Sequence, residues 1–419
     1  MKTAEFIKTG VLLVLASMIV GGLFVGTFAS AQAAGAIDTT FGTAGTVSTN
    51  VANPELFPLG AFEQANGDIV VVSTFDDGTT LATNIGMVRY TSAGKLDTTF
   101  GTKGITVTEF PNVNTAPVGF AVLPNGDILV AATATVDLSA GEFALARYTP
   151  NGVLDTTFGT KGTVLTSFPN DDMASAILLQ PNGQFVVGGL QGPSSKTGAG
   201  AGTVLVRYNS NGSLDTTFGS DGIDVVPNPV LGEPAELALL SNGNYLALGN
   251  NAIAEFSSTG AFVPTVTLET FTATSTPVSG CCSPSILEPN GDFLVASIFG
   301  TGRHLSDDEV TRFTATGGVD TTFTPTPVKT GPGENEPQII ALQANGQILV
   351  GGLTNASQSP VEGGFARLNT NGTVDTTFGT AGVVSTTAPL ASLLVQTNGN
   401  IVTIGSSGED LVLSRYLGQ

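Results

Sequence analysis

The chain has 419 residues, 34 of them acidic and 14 basic, which gives a formal net charge of −20 at neutral pH. This charge opposes binding to nucleic acid and to anionic lipid surfaces. Glycine is abundant at 54 copies, and charged residues make up only 11% of the chain. This composition is typical of a β-rich, turn-rich globular protein, and it excludes both long amphipathic helices and extensive disorder.

The N-terminal 33 residues have the pattern of an export segment. Lys2 and Lys8 precede an uncharged stretch that ends near Ala29, and small residues follow it. The stretch is also long enough to span a bilayer. We therefore expect residues 1–33 to be a signal peptide or an uncleaved membrane anchor, and residues 34–419 to be secreted or displayed on the cell surface. Contact with a membrane is expected only if the segment stays uncleaved.

One segment, Asp-Thr-Thr-Phe, recurs along the rest of the chain with a period of roughly 55 residues. It begins at Asp38, Asp97, Asp155, Asp215, Asp320 and Asp375. The long gap after Asp215 holds a degenerate copy, in which Val263 takes the place of the aspartate. The sequence therefore predicts seven repeats, near 38–96, 97–154, 155–214, 215–262, 263–319, 320–374 and 375–419.

Each repeat is predicted to contain four short strands. An Asn-Gly pair between two apolar runs indicates a tight hairpin turn, and it occurs at Asn66, Asn125, Asn182, Asn242, Asn290, Asn345 and Asn398. A further strand follows the Phe-Gly turn, and another ends in Arg-Tyr. Seven such units predict an all-β fold, a seven-bladed β-propeller of four-stranded antiparallel blades. We expect residues 38–49 to supply the missing strand of the last blade and so to close the ring.

An arginine lies eight residues before the aspartate of the next repeat. The pairs are Arg89 with Asp97, Arg147 with Asp155, Arg207 with Asp215, Arg312 with Asp320, Arg367 with Asp375 and, through ring closure, Arg415 with Asp38. At the degenerate junction both members are replaced together, by Glu255 and Val263. We interpret the pairs as structural, bidentate bridges across a tight turn, in which the aspartate also accepts from backbone amides.

The repeat consensus, (L/V)-D-T-T-F-G-x-x-G followed by P-N-G-x-(I/F)-x-V and (A/V)-R-Y, resembles the delta-60 repeat family of bacterial exported and surface proteins. The resemblance extends over residues 38–419 and is weakest around 255–275. It implies an extracytoplasmic bacterial protein made of tandem β repeats. It brings no assigned catalytic residues to carry over.

No catalytic residue is predicted. The single histidine, His304, excludes a metal site with several histidine ligands, and we interpret it as an exposed loop residue. The adjacent Cys281 and Cys282 are interpreted as small loop side chains, with a strained vicinal disulfide or an intermolecular link as alternatives.

Carboxylates are the remaining candidates for chemistry. Those in predicted loops are Asp76, Asp77, Asp171, Asp172, Asp307, Asp308 and Glu309. They do not follow the spacing of a known calcium loop, so they predict a solvated acidic surface, with a Ca²⁺ site as the alternative. No other cofactor is predicted.

Two functions remain open. The first is a monomeric, non-enzymatic scaffold that binds a protein or glycan partner through the variable loops of a rigid ring. The alternative is a propeller hydrolase, lyase or lactonase with a carboxylate-rich, calcium-supported site near the central channel. A purely structural surface module would differ from the first only in having no ligand.

Overall fold

The described part of the chain consists of β-strands joined by tight turns, with no helix. The computed structural model describes residues 32–51, 56–76, 83–136, 139–168, 172–192, 202–226, 234–249, 253–263, 284–299, 307–315, 318–331, 335–354, 362–386 and 388–419. Among these residues no helix has the length and hydropathy that a membrane crossing requires. Residues 1–31, and with them most of the predicted export segment, lie outside the described residues, as do Cys281, Cys282 and His304.

The strands are numbered in chain order. They are β1 (Thr46–Asn50), β2 (Leu56–Glu63), β3 (Ile69–Asp76), β4 (Thr83–Tyr90), β5 (Ile105–Thr108), β6 (Asn114–Val122), β7 (Ile128–Val136), β8 (Ser139–Tyr148), β9 (Thr163–Thr166), β10 (Asp172–Leu179), β11 (Phe185–Gln191), β12 (Gly202–Tyr208), β13 (Ile223–Val226), β14 (Pro234–Leu239), β15 (Tyr245–Gly249), β16 (Ile253–Phe256), β17 (Ser285–Leu287), β18 (Phe293–Phe299), β19 (Asp307–Phe313), β20 (Asn335–Leu342), β21 (Ile348–Thr354), β22 (Glu362–Leu368), β23 (Val383–Thr386), β24 (Ser392–Val395), β25 (Ile401–Ser407) and β26 (Asp410–Tyr416).

The strands form seven antiparallel sheets, which we number as blades in chain order. Blade 1 is β2-β3-β4-β5, blade 2 is β6-β7-β8-β9, blade 3 is β10-β11-β12-β13, blade 4 is β14-β15-β16, blade 5 is β17-β18-β19, blade 6 is β20-β21-β22-β23, and blade 7 is β24-β25-β26 with β1. The first strands of neighbouring blades contact one another, so they surround the axis. The seven-bladed propeller predicted from the repeats is thereby confirmed.

Blades 4 and 5 each contain three strands within the described residues. In blade 5, an isolated bridge joins Asp308 to Val328 at the place where other blades have their fourth strand. The segment that would follow β16 in blade 4 begins at residue 264, outside the described residues.

The Asn-Gly turns show why each blade begins with a tight hairpin. Gly67 has a φ of +84°, a left-handed conformation that glycine adopts without a Cβ clash. The Oδ1 atom of Asn66 accepts a hydrogen bond of 3.1 Å from the amide of Asp68. The side chain thus fixes the turn through a hydrogen bond within the hairpin itself, which does not depend on the neighbouring blades.

The ring closes as predicted, by an N-terminal strand in the last blade. Strand β1 pairs antiparallel with β26, with Thr46 opposite Ser414 and Asn50 opposite Asp410. The amide of Asp38 donates to the carbonyl of Arg415 at 2.7 Å. Closure gives every blade two neighbours, and apolar clusters of the described residues pack at each seam.

The hydrophobic core consists of seven clusters, one at each seam between adjacent blades. Central strands such as β3 are covered on both faces, and Val70, Val71 and Val72 are fully buried. Val70 and Val72 belong to the cluster shared with blade 2, and Val71 to the cluster shared with blade 7. Each blade is therefore stabilised mainly by its two neighbours.

Strand β1 should be essential for the stability of the ring. A chain that begins at residue 52 should lose at least about 3 kcal/mol of unfolding free energy relative to one that begins at residue 32, because β26 loses its partner and Arg415 is left buried without Asp38. Chemical denaturation of both chains measures the difference. Equal midpoints would show that the closure contributes nothing.

Candidate functional site

The six predicted arginine–aspartate pairs share one geometry, which recurs in the turns of six repeats. In each pair the arginine Nε donates to the aspartate Oδ2 at 2.7 to 2.9 Å. In four pairs Nη2 contacts the same oxygen, as in Arg89 and Asp97 at 2.8 Å. In these pairs both guanidinium nitrogens contact the same carboxylate oxygen, Oδ2. They do not bind one oxygen each, because Oδ1 already accepts hydrogen bonds within the turn.

The second aspartate oxygen fixes the turn. Oδ1 of Asp97 accepts from the backbone amide of Thr99 at 3.0 Å and from its hydroxyl at 2.7 Å. The guanidinium of Arg89 lies over the ring of Phe100, 4.8 Å from its centroid, and all six arginines have such a phenylalanine. The Asp-Thr-Thr-Phe motif thus encodes a carboxylate, a hydroxyl and an aromatic ring around one cation.

Each arginine also reaches across the seam to the following blade. Its Nη1 donates to a backbone carbonyl there: Arg89 to Pro150 (3.0 Å), Arg147 to Ser210 (2.5 Å), Arg207 to Ser258 (2.7 Å), Arg312 to Thr370 (3.1 Å), Arg367 to Gly418, and Arg415 to Ser92 (2.7 Å). The arginine therefore joins a turn of its own blade to the next blade. We call this arrangement the arginine staple.

The staple sets the ionisation of its aspartates. Hydrogen bonds from the side chain and backbone of Thr99, together with Arg89, outweigh burial and hold the pKa of Asp97 below its usual range. Equivalent hydrogen bonds from Thr322, helped by Arg312, lower the pKa of Asp320 to about 2. Because these pKa values lie below that of an unfolded aspartate, the staple's contribution is present above about pH 4 and is lost as the pH falls further.

The degenerate repeat retains the turn and lacks the staple. The amide of Val263 still donates to the carbonyl of Glu255 at 2.8 Å, as in the intact copies. The side chain of Glu255 instead accepts from Asn244 of its own blade at 2.6 Å. The backbone geometry is therefore independent of the ion pair.

Five of the seven predicted loop carboxylates lie in strands. Asp76 ends β3 and Asp172 begins β10, and both are buried. Asp307, Asp308 and Glu309 begin β19. The placement of these five in loops was therefore wrong, because the strands extend further than the sequence indicates. Asp76, Asp172 and Asp308 are also buried, whereas Asp307 and Glu309 are half-buried. Asp77 and Asp171 lie outside the described residues.

The structure does not bring these carboxylates together. They belong to blades 1, 3 and 5. In the part of the chain that the structure describes, no group of three or more His, Cys, Asp or Glu side chains has the geometry to hold a metal ion.

Two carboxylates in the described residues, Asp308 and Glu236, have strongly raised pKa values. Desolvation raises the pKa of Asp308 to about 7, although Thr330 donates to its Oδ2 at 2.8 Å. Its Oδ1 has no hydrogen-bond partner among the described residues. Burial against blade 5 raises the pKa of Glu236 likewise to about 7, and its position in β14 was not singled out from the sequence.

A pocket of about 420 Å³ opens between blades 1 and 2, on the face that carries the Asn-Gly turns. Its polar lining includes Gln64 and Asn151, and its apolar lining includes Val122 and Pro124. Arg89, in the wall, is committed to the staple and to Gln64 and Asn151, at 3.2 and 3.1 Å. Sequence reasoning missed this pocket, because it placed recognition on the opposite, loop-bearing face.

Comparison with known proteins agrees with this fold. A family model described as "Domain of unknown function (DUF5122) beta-propeller" matches residues 64–100, 123–158, 180–218 and 343–378. The chain is similar to this β-propeller family. Each matched segment starts at an Asn-Gly turn and runs to the phenylalanine of the arginine staple. No match was found among curated proteins.

Solved structures share the fold at low sequence identity. A catalytically inactive virginiamycin B lyase from Staphylococcus aureus with quinupristin is 16% identical, with 89% of this chain and 99% of that chain covered and a TM-score of 0.50. The β-propeller domain of the Trilobed protease from Pyrococcus furiosus is 8% identical (87% and 94% covered, TM-score 0.46). An α-L-arabinanase from Penicillium chrysogenum with arabinobiose is 13% identical (87% and 92%, TM-score 0.43). At 16% identity the likeness to the first structure shows the fold alone.

The arginine staple should contribute strongly to stability. Arg207→Ala should cost about 3–5 kcal/mol of unfolding free energy, mainly because Asp215 is left buried without its cation. The matched control is Glu255→Ala, at the same position of the degenerate repeat, where the loss should be several-fold smaller. Chemical denaturation measures both variants, and equal losses would refute the structural role of the pair.

Burial of Asp308 should make stability depend on pH. Its pKa is higher in the folded state than in the unfolded state, so its contribution is full below about pH 4 and is lost as the pH rises to about 7. Asp308→Asn should therefore flatten the decline in unfolding free energy between pH 4 and 7. The comparison variant is Asp307→Asn, which should flatten the decline much less, because burial of Asp308 raises its pKa more than the charge of Asp307 does. If the unfolding free energy of Asp308→Asn still declined as in the unmodified chain, the pH dependence would come from other groups.

Proposed function

We propose that this protein is an exported, non-enzymatic binding scaffold for a glycan or protein partner, and that the pocket between blades 1 and 2 is its ligand site. One observation carries the proposal: the pocket combines a ligand-sized volume with polar groups that can bind but are not poised to react. A ring of seven blades, six of which carry the arginine staple, fixes the geometry of such a site.

The charged groups in the pocket wall are already engaged. The Glu63 carboxylate accepts from Gln396 at 3.0 Å and from the amide of Thr397 at 2.7 Å. Arg89 is bound to Asp97 and to the carbonyl of Pro150. A general acid or base must be able to exchange a proton with substrate, and a nucleophile must be accessible. Amide side chains and backbone amides remain, and these groups bind ligands.

A hydrolase, lyase or lactonase is less well supported. Such a site would need carboxylates that converge near the channel, whereas Asp308 and Glu236, whose pKa values are raised to about 7, belong to different seams. The export of the chain and its action as a monomer are parts of the proposal that rest on the sequence.

Binding without turnover is the expected behaviour. We expect the secreted chain to bind at least one member of a panel of oligosaccharides and metabolites, screened by calorimetry with and without Ca²⁺, and to leave it chemically unchanged. Val122→Trp should fill the pocket and abolish binding at an unchanged thermal midpoint. Val153→Trp, an exposed position of the same blade outside the pocket, is the control. If a product formed in the screen, the alternative function as a hydrolase, lyase or lactonase would be favoured.

A further inference from the structure

The hairpin turn of blade 7 binds a carboxylate, and this contact indicates which chemical group the equivalent turn of blade 1 could bind. In blade 7 the turn Gln396-Thr397-Asn398-Gly399 binds a carboxylate of the neighbouring blade. The Gln396 side-chain amide donates to Oε1 of Glu63 at 3.0 Å, and the Thr397 backbone amide donates to Oε2 at 2.7 Å. Two neutral donors therefore bind both oxygens of one carboxylate.

Blade 1 has the same turn without the carboxylate. Its sequence is Gln64-Ala65-Asn66-Gly67, and the residue of blade 2 that corresponds to Glu63 is Val122. Both Glu63 and Val122 lie three residues before the asparagine of their own turn. Val122 has no acceptor and is 38% exposed. The pocket opens at this seam, and Gln64, Ala65 and Val122 all line it.

The donors of blade 1 remain available. The amide of Ala65 has no hydrogen-bond partner among the described residues. The side-chain amide of Gln64 uses one N–H for the carbonyl of Pro150 at 2.8 Å and retains the second. We infer that the pocket binds the carboxylate of an acidic sugar, held by Gln64 and Ala65 as Glu63 is held by Gln396 and Thr397. This inference rests on the proposed function, and it names the ligand class of the same site.

The dimensions and lining of the pocket favour a sugar acid. Its volume of about 420 Å³ suits a small ligand of one or two rings rather than a folded segment. The Asn151 side chain offers a neutral amide for hydroxyl groups, and Pro124 and Val122 offer apolar surface for the C–H face of a ring. An ionised acceptor strengthens hydrogen bonds to amide donors, which is why a carboxylate is preferred to a neutral group.

Four of the other turns lack at least one of the two donors. Blades 2, 3 and 5 have proline at the position of Ala65, so the backbone donor is absent there: Pro124, Pro181 and Pro289. Blade 4 has Leu240 in place of the glutamine. Blade 6 repeats Gln-Ala-Asn-Gly at residues 343–346, and Gln343 donates to the carbonyl of Gly399 at 3.4 Å as Gln64 donates to Pro150. This turn does not line the pocket between blades 1 and 2. Blade 6 therefore supplies a matched control.

The test is a pair of alanine-to-proline variants of the full chain. Ala65→Pro removes one N–H from a turn that accommodates proline in three other blades, so folding should be retained. Binding of D-galacturonate and of D-galactose is measured by calorimetry and by saturation-transfer NMR. We expect galacturonate to bind at least about tenfold more tightly than galactose, Ala65→Pro to weaken it at least about tenfold, and Ala344→Pro to leave it unchanged.

A second variant tests the donor geometry without a ligand. Val122→Glu should recreate the Glu63 contact, raise the thermal midpoint and abolish galacturonate binding, whereas Val122→Gln, which lacks the charge, should have the smaller effect on stability. If Val122→Glu lowered the thermal midpoint and Val122→Gln did not, Gln64 and Ala65 would not form a site for a carboxylate.

Failure of the inference and failure of the proposed function are distinguishable. If the chain binds a ligand of the wider panel, and Ala65→Pro does not alter its binding, the carboxylate site is wrong and the scaffold function stands. If the chain binds nothing in the panel, both fail. Tighter binding of N-acetylalanine than of galacturonate would overturn the sugar assignment in favour of a peptide terminus.

Discussion

The structure depends on one interaction, the reach of an arginine from a turn of its own blade to the backbone of the next. Arg207 illustrates its composition: Asp215 neutralises the charge, Phe218 lies under the guanidinium, and the carbonyl of Ser258 receives the remaining donor. Burial of a lone cation would be costly, and the motif Asp-Thr-Thr-Phe supplies the groups that make it favourable. The apolar seams supply non-directional attraction between blades, while the staple fixes their relative position.

The ring departs from symmetry at identifiable seams. At the closure, residues of the N-terminal segment take the place of a continuous turn, and the amide of Gly379 donates to Ala34 as Gly101 donates to Asn151 elsewhere. At blade 4 the staple is replaced by Glu255. Between blades 7 and 1 the hairpin turn binds Glu63, whereas between blades 1 and 2 Val122 takes that position and lines the pocket.

The same physical constraints favour recognition over chemistry. The arginines and aspartates of the turns bind one another in the staples, so their side chains are not available for catalysis. Asp308 and Glu236, whose pKa values are raised to about 7, lie at separate seams, so they make stability depend on pH and do not form a shared reaction centre. Neutral amides are the groups left facing the pocket.

The sequence by itself determined the number of blades, the strand that closes the ring and the arginine–aspartate spacing, because these are local patterns repeated at a fixed period. Only the tertiary structure decided which atoms meet across a seam. Asp308 and Asp172, expected in loops, are buried, and Asp308 meets Val328 and Thr330, about twenty residues further along the chain. The pocket likewise depends on residues far apart in the chain. Glu63 was detectable in principle, as the one acid at a position occupied elsewhere by valine or leucine, but its partners in blade 7 lie more than three hundred residues away.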